Sequence, residues 1–208
     1  MTTGKFIAFE GGEGAGKSTQ AHMLGEALRQ RGIDAVLTRE PGGTRGAEAI
    51  RALLLANEGE GWGLRAEALL FAAARSDHVA RLILPALGAG RWVICDRFLD
   101  SSRAYQGGGG GLDDADIRAL HRFGSAGLLP DLTILITVTP VVAQQRLALR
   151  DGDGGDRIGS RPLKYHARVA AAFARFAEQE HARFAVIDGN GSAEATHAAV
   201  LHAVASLS

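Results

Sequence analysis

The stretch Phe6-Ile7-Ala8-Phe9-Glu10-Gly11-Gly12-Glu13-Gly14-Ala15-Gly16-Lys17-Ser18 joins a short apolar run to a glycine-rich pattern that opens a helix-like segment. The part after Glu10 matches G-x-x-x-x-G-K-[ST] in full. A strand before the pattern and a helix after it supply the context in which this pattern binds phosphate. Glycines let backbone N–H groups turn toward an anion, and a helix N-terminus adds the positive end of its dipole. The stretch therefore predicts a site for a nucleotide triphosphate.

The spacing within this loop assigns roles to particular side chains. Lys17 reaches the β- and γ-phosphate oxygens, and Ser18 places a hydroxyl on Mg²⁺. Asp96 ends a second apolar run, and a carboxylate at the end of a neighbouring strand suits the same metal through water. An Asp that only caps a turn is the alternative for this residue. The predicted set for the triphosphate is Gly11, Gly12, Glu13, Gly14, Ala15, Gly16, Lys17, Ser18 and Thr19.

Length and composition limit the class of protein. The chain has 208 residues, and 23 Lys+Arg balance 23 Asp+Glu, so electrostatic binding to nucleic acid is not expected. A chain of this length favours a single domain, residues 1–208. The single cysteine, Cys95, cannot form an internal disulfide, and no apolar stretch approaches the ~20 residues that span a bilayer. We expect a cytoplasmic protein without a membrane or nucleic-acid partner.

Strand-like and helix-like segments alternate along the chain. Short apolar runs predict strands at residues 6–9, 33–37, 91–95, 132–138 and 184–187. Helical patterns cover residues 17–31, 44–56, 64–87 with a bend near Pro85, 113–123, 140–150, 162–183 and 192–207. Such alternation predicts an α/β fold: a five-stranded parallel sheet with helices on both faces. Ligands of such sheets bind beyond the carboxyl ends of the strands.

Two glycine-rich stretches, residues 107–111 and 151–156, are predicted to be mobile loops. The second begins like a calcium loop. Its sixth position is Asp156 where glycine is needed, and its twelfth is Pro162 where glutamate is needed. We therefore reject a calcium site.

A second substrate site would separate a kinase from a nucleotide switch, since both use a phosphate loop. The guanine-reading pattern N-K-x-D is absent. Phe71 and Arg75 lie four residues apart on a predicted helix and share a face that suits a planar base with a carbonyl. A core role is the alternative for Phe71. Arg39, Arg51 and Arg97 fall where the fold brings them to the carboxyl edge of the sheet.

Taken together, these motifs resemble those of thymidylate kinases. The resemblance lies in Phe-Glu-Gly-x-Glu-Gly-Ala-Gly-Lys-Ser (9–18), Thr-Arg-Glu-Pro-Gly-Gly-Thr (38–44), Asp-Arg-Phe (96–98) and Ser-Ser-x-Ala-Tyr-Gln-Gly (101–107). Further matches lie at residues 69–75, 130–133 and 156–158. The resemblance implies the three-layer sandwich of P-loop NTPases and transfer of the γ-phosphoryl group of ATP to dTMP. Another nucleoside monophosphate kinase and an ATP-dependent switch protein are the alternatives.

The same resemblance implies roles around dTMP. Phe71 stacks on thymine, Arg75 contacts the base, and Arg97 holds the phosphate with help from neighbouring arginines. Tyr105 lies by the sugar and disfavours a ribose 2′-hydroxyl. A homodimer is also implied. The residues placed around dTMP are Glu13, Arg39, Arg51, Phe71, Arg75, Arg97, Ser101, Ser102, Tyr105 and Gln106.

The charges of the reaction direct attention to a small lid at residues 146–161. Because the phosphate of dTMP is already mostly a dianion at neutral pH, catalysis needs positioning and cations rather than a general base. The phosphate loop carries no cation besides Lys17, whereas Arg150 and Arg157 flank the second glycine-rich stretch. We expect Lys17, Arg97, Arg150 and Arg157 to be catalytic. The segment resembles the lid of the family, whose closure over ATP would exclude water. A solvated surface loop is the alternative.

Overall fold

The computed structural model describes residues 4–56, 60–151 and 157–207. These residues form one parallel sheet of five strands in the order β2-β3-β1-β4-β5. The predicted α/β fold is therefore confirmed. The strands are β1 (Phe6–Glu10), β2 (Ala35–Arg39), β3 (Trp92–Asp96), β4 (Leu132–Thr137) and β5 (Phe184–Asp188).

Helices cover both faces of this sheet, because successive side chains of a strand point to opposite faces. Ile7 and Phe9 of β1 belong to one core layer, and Phe6 and Ala8 to the layer on the other face. The helices are α1 (Lys17–Gln30), α2 (Arg45–Leu55), α3 (Leu64–His78), α4 (Leu84–Gly88), α5 (Leu99–Ser102), α6 (Asp114–Ser125), α7 (Pro140–Asp151), α8 (Leu163–Gln179) and α9 (Ala193–Val204).

Several element bounds differ from those predicted. The segment at residues 64–87 is not one α-helix, because α3 passes into a π-helical turn at Val79–Ile83 before α4 begins. Pro85 has no N–H to offer the carbonyl four residues earlier, which interrupts the regular pattern just before it. The helix predicted to end at residue 183 ends at Gln179 and is followed by a 3₁₀ turn, His181–Arg183. In the part of the chain that is described, no helix is long and apolar enough to cross a membrane.

The prediction of a mobile loop at residues 107–111 is wrong for most of these residues. Its first residues complete a π-helical segment, Arg103–Gly109, that follows α5 and packs against α8. A Cβ added at Gly108 would lie 2.4 Å from the Cβ of Ala172, and one at Gly109 would lie 2.6 Å from a ring carbon of Tyr165. Glycine is needed here for close packing. Residues 152–156 of the other glycine-rich stretch lie outside the described residues.

A buried histidine joins α6 to the segment that follows β3. The ring of His121 packs edge-on against Phe98, with centroids 5.6 Å apart, and its Nε2 lies 2.7 Å from the carbonyl oxygen of Leu128. Because a carbonyl only accepts, Nε2 carries the proton. Within the described ranges the buried Nδ1 has no hydrogen-bond partner. Burial, reinforced by the charge of Arg75, lowers the pKa of His121 to about 4.

We predict that this histidine destabilises the fold in acid. The unfolded chain binds a proton at His121 near pH 6.5, whereas the folded chain binds it only near pH 4. The free energy of unfolding therefore keeps its full value with respect to this group above pH 6.5, and it decreases progressively as the pH falls toward 4. Between pH 7 and pH 5 the loss is about 2 kcal/mol. Urea unfolding of the wild type and of His121→Gln, which keeps a donor but does not titrate, measures it. Equal losses in the two proteins would contradict the prediction.

Candidate active site

The carboxyl ends of β1, β2 and β3 face a cavity of about 320 Å³. Parallel strands bring their carboxyl ends to one edge of a sheet, so residues distant in sequence meet there. Glu40, Pro41, Leu55, Phe98 and Ile158 also line the cavity but were given no role from sequence. The predicted residues that the cavity brings together are Glu13, Lys17, Ser18, Arg39, Arg51, Phe71, Arg75, Asp96, Arg97, Ser101, Ser102, Tyr105 and Gln106.

The phosphate loop has the backbone that its glycines permit. Gly11 and Gly14 have φ values of 140° and 71°, which L side chains rarely adopt. An added Cβ would lie 2.3 Å from the carbonyl oxygen of Ile136 at the first and 2.6 Å from that of Ala143 at the second. The Nζ of Lys17 donates to the carbonyl oxygen of Gly12 at 2.7 Å, across the loop. Burial, and next the charge of Arg97, lower the pKa of Lys17 to about 8.

Two oxygen donors meet where the loop approaches the end of β3. The hydroxyl of Ser18 donates to Oδ2 of Asp96, while the other carboxylate oxygen is buried with no hydrogen-bond partner among the residues described. In the same ranges, no group of three or more His, Cys, Asp or Glu side chains could hold a metal ion. Mg²⁺ is commonly held by one or two protein oxygens together with phosphates and waters. This pair fits a Mg²⁺ ion that arrives with a nucleotide.

Arg97 lies between the phosphate loop and the acceptor side of the cavity. Its Nη2 donates to Oε1 of Glu13 at 2.6 Å, and its Nη1 donates to Oγ of Ser101 at 3.1 Å. The guanidinium carbon lies 5.0 Å from the ring centre of Tyr105, whose hydroxyl donates to the same Glu13 oxygen at 3.0 Å. Burial raises the pKa of Tyr105, so its phenol stays protonated. The predicted sugar and phosphate residues therefore form one connected group.

Arg75 is held by a buried network that the sequence analysis did not find. Its Nε donates to Glu40 at 2.7 Å, and its Nη2 donates to Ser102 Oγ at 2.8 Å. Nδ1 of His78 lies 3.0 Å from the second oxygen of Glu40, and Nε2 lies 2.8 Å from the hydroxyl of Thr38. Arg75 and His78 lie three residues apart on α3, and this spacing could have indicated a shared partner.

The side of the cavity that was predicted to bind the base also contains an amide of fixed orientation. Nε2 of Gln106 donates to Oε1 of the buried Glu67 at 2.9 Å. Because a carboxylate accepts only, the amide nitrogen must face Glu67. Oε1 of Gln106 has no hydrogen-bond partner in the described part of the chain. Arg161, just beyond the glycine-rich stretch, donates to the other oxygen of Glu67. The partly buried Phe71 lines the same side.

The remaining predicted cations lie around the rim. Arg39 is exposed and pairs with Glu48 at 3.2 Å, and Nη1 of Arg51 donates to the carbonyl oxygen of Pro41 at 2.7 Å. Thr19, predicted to bind the triphosphate, is exposed on the first turn of α1.

The predicted lid is described in part. Arg146 donates to the carbonyl oxygens of Gly189 at 2.8 Å and Ala15 at 3.4 Å, which ties the phosphate loop to the turn after β5. Arg157 lies beside Gly61, where an added Cβ would be 2.6 Å from its Nη1. The side chain of Arg150 lies outside the described residues.

A phosphate loop that opens onto a cavity lined by arginines and aromatic rings is the arrangement of a P-loop kinase with a small acceptor. Comparison with known families narrows this class. Residues 9–200 match the family model for thymidylate kinase, and the chain belongs to that family.

Individual relatives agree with this assignment. The chain is 56% identical over 204 residues to a thymidylate kinase of Rhizorhabdus wittichii, with 98% of each chain covered. It is 49% identical over 202 residues to that of Bradyrhizobium sp. strain ORS 278, covering 97% of this chain and 89% of the relative. The crystal structure of thymidylate kinase from Ehrlichia chaffeensis matches with a TM-score of 0.80 and 33% identity, covering 97% and 99% of the two chains. The predicted family and its P-loop fold are confirmed.

The network around Arg75 predicts a large loss of stability when its carboxylate is changed. Arg75 and Glu40 are each only 4% exposed, so Glu40→Gln leaves a buried guanidinium without its charged partner. Removal of one partner of a buried pair costs about 3–5 kcal/mol. Urea unfolding at pH 7 measures this cost. The control is Glu26→Gln, because Glu26 and Arg29 form a pair that is 63% and 71% exposed. Comparable losses in both variants would contradict the prediction.

Proposed function

We propose that the protein transfers the γ-phosphoryl group of ATP to the phosphate of dTMP, giving dTDP and ADP. The observation that carries this proposal is the position of Arg97 between two distinct regions of the cavity. Lys17 and Ser18 line one region, and Phe71 and Arg75 line the other. Membership of the thymidylate kinase family supports the same reaction.

Two cations prepare the cavity for phosphoryl transfer. The charge of Arg97 helps to lower the pKa of Lys17, so the two repel each other when no anion lies between them. Phosphate groups between them replace this repulsion by two attractions. Lys17 binds the donor phosphates and Arg97 binds the acceptor phosphate, so the attraction of the cations offsets the repulsion between the two anions.

Mg²⁺ would be held by the hydroxyl of Ser18 and, through water, by Asp96. When bound, it neutralises charge on the transferred phosphoryl group. No residue is needed to deprotonate the acceptor, since its phosphate is mostly a dianion at neutral pH. Arg150 and Arg157 of the lid add positive charge when the lid closes over ATP, and closure excludes water.

Recognition of the acceptor base depends on groups whose orientation is fixed by hydrogen bonds to carboxylates. Glu40 orients the guanidinium of Arg75, and its N–H groups suit a carbonyl oxygen of the base. Glu67 binds the amide nitrogen of Gln106, which leaves the oxygen to accept an N–H. Phe71 offers an aromatic face for stacking. A pyrimidine with carbonyl groups and a ring N–H, as in thymine, matches this set.

The proposal also includes a homodimer and a location in the cytoplasm. The packed pair α3 and α6 exposes Leu69 (55%) and Phe123 (93%), apolar side chains that a homodimer would cover. We place the protein in the cytoplasm, where its one cysteine, the buried Cys95, stays reduced.

The acceptor dependence of ADP formation tests the proposed reaction. With ATP and Mg²⁺, we expect fast ADP formation with dTMP, slower formation with dUMP and background formation with AMP or GMP. Lys17→Ala should abolish transfer, since it removes the cation at the β- and γ-phosphates, and circular dichroism should show an intact fold. Equal ADP formation with and without a monophosphate would contradict the proposal, as would full activity of Lys17→Ala.

Loss of the aromatic ring at Phe71 should weaken acceptor binding. Base–aromatic stacking contributes about 1–3 kcal/mol, so Phe71→Ala should raise the Kd of dTMP about 5- to 150-fold. Phe71→Leu is the matched control, because it keeps an apolar contact with the surrounding core but removes the aromatic face. Titration calorimetry with dTMP measures both variants. If dTMP affinity stays at the wild-type value in the folded Phe71→Ala protein, the ring serves the core instead.

A further inference from the structure

Glu10 is a fully buried carboxylate at the end of β1, to which the sequence analysis gave no role. Its Oε1 accepts the backbone N–H groups of Phe98 at 2.9 Å and Ser101 at 3.0 Å. Its Oε2 accepts the hydroxyl of Ser101 at 2.6 Å. A buried carboxylate is costly unless hydrogen bonds compensate it, and here three donors converge on it. Burial, with the charge of Asp100, raises the pKa of Glu10 to about 7.

The backbone held by Glu10 contains a residue in an unfavourable conformation. Arg97 has a φ of 70°, in the left-handed region that disfavours residues other than glycine. Its own N–H donates to the carbonyl oxygen of Phe9 at 2.9 Å, and the next N–H along the chain donates to Glu10. Hydrogen bonds to β1 therefore hold the backbone on both sides of Arg97.

A second set of hydrogen bonds connects Glu10 to the side chain of Arg97. The Ser101 hydroxyl donates a hydrogen bond to Glu10, and its oxygen accepts one from Nη1 of Arg97, 3.1 Å away. Glu10 thus determines the direction in which the hydroxyl points. Glu10, which does not line the cavity, thus binds the backbone next to Arg97 and reaches its guanidinium through Ser101, in addition to the direct contact of the guanidinium with Glu13.

We propose that Glu10 is the positioning residue for Arg97, which it holds in the strained conformation that lets the guanidinium meet the acceptor phosphate. This inference rests on the proposed function, in which Arg97 binds that phosphate. Glutamine is a poor substitute, although its carbonyl oxygen can still accept both backbone N–H groups. Its NH₂ group would face the hydroxyl of Ser101 and force the oxygen to accept there.

Steady-state kinetics of Glu10→Gln test the proposal. We expect the KM for dTMP to rise about tenfold or more, the size of effect that 1.4 kcal/mol of lost positioning produces, while the KM for ATP stays within about twofold. Ser101→Ala breaks the side-chain route alone and should raise the KM for dTMP less. The double variant should be no worse than Glu10→Gln, because both changes break one connected unit.

Asp131→Asn is the matched control. Asp131 accepts the N–H of Phe6 at 2.7 Å, at the other end of the same strand and away from the cavity. Its loss should lower the melting temperature without changing either KM. A wild-type KM for dTMP in Glu10→Gln, or fully additive effects with Ser101→Ala, would overturn the positioning role. If Glu10→Gln does not fold, the crystal structure of Ser101→Ala decides: displacement of the Arg97 guanidinium from its 2.6 Å contact with Glu13 supports the positioning role, and an unmoved guanidinium overturns it.

Crystal structures separate this inference from the proposed function. If the wild type forms no dTDP, the proposed function fails, and the conformation of Arg97 in the variant still decides the positioning role. We expect Glu10→Gln to lose the positive φ of Arg97 or its 2.6 Å contact with Glu13. Retention of both would overturn the inference even if the wild type is an active kinase.

Discussion

Two positive charges held close together in a buried cavity set the requirement that the rest of the site satisfies. Lys17 and Arg97 belong to different elements, yet the charge of the arginine helps to lower the pKa of the lysine to about 8. Glu13 pairs with Arg97 directly, and Glu10 is connected to Arg97 through the hydroxyl of Ser101. These carboxylates hold Arg97 in place, and their negative charges partly offset the effect of Arg97 on Lys17.

The base side of the cavity follows the same design with different residues. Glu40 binds Arg75, and Glu67 binds Gln106. Buried ion pairs are weak evidence of stability, because desolvation offsets much of the attraction. Their benefit here is orientation: donors and acceptors fixed before the ligand arrives lose little entropy on binding. His78 extends this support into the core through its contact with Glu40.

Sequence reasoning succeeded where the signal is local and failed where it depends on tertiary packing. The phosphate loop is a contiguous pattern that requires strand, turn and helix together, so Lys17 and Ser18 could be placed without a structure. Residues 107–111 could not, because five glycines look alike whether they are flexible or packed against α8. Glu10 was passed over for a similar reason. It lies at the end of an apolar strand, and its three donors come from residues that are remote in sequence.

The two ends of the site differ in how firmly they are built. On the proposed acceptor side, buried hydrogen-bond networks connect Arg97 and Arg75 to β1, β2 and α3. The positions of these two arginines are therefore determined by the sheet and the helix packed on it. Arg146 fixes the phosphate loop to the turn after β5. Of the predicted cations of the lid, Arg150 lies in the last turn of α7 and Arg157 follows this helix. Arg161, the last residue of the predicted lid, does reach the other end of the cavity, since it donates to Glu67, which binds Gln106. The segment that follows the second glycine-rich stretch is therefore linked to an amide of the cavity through one buried carboxylate.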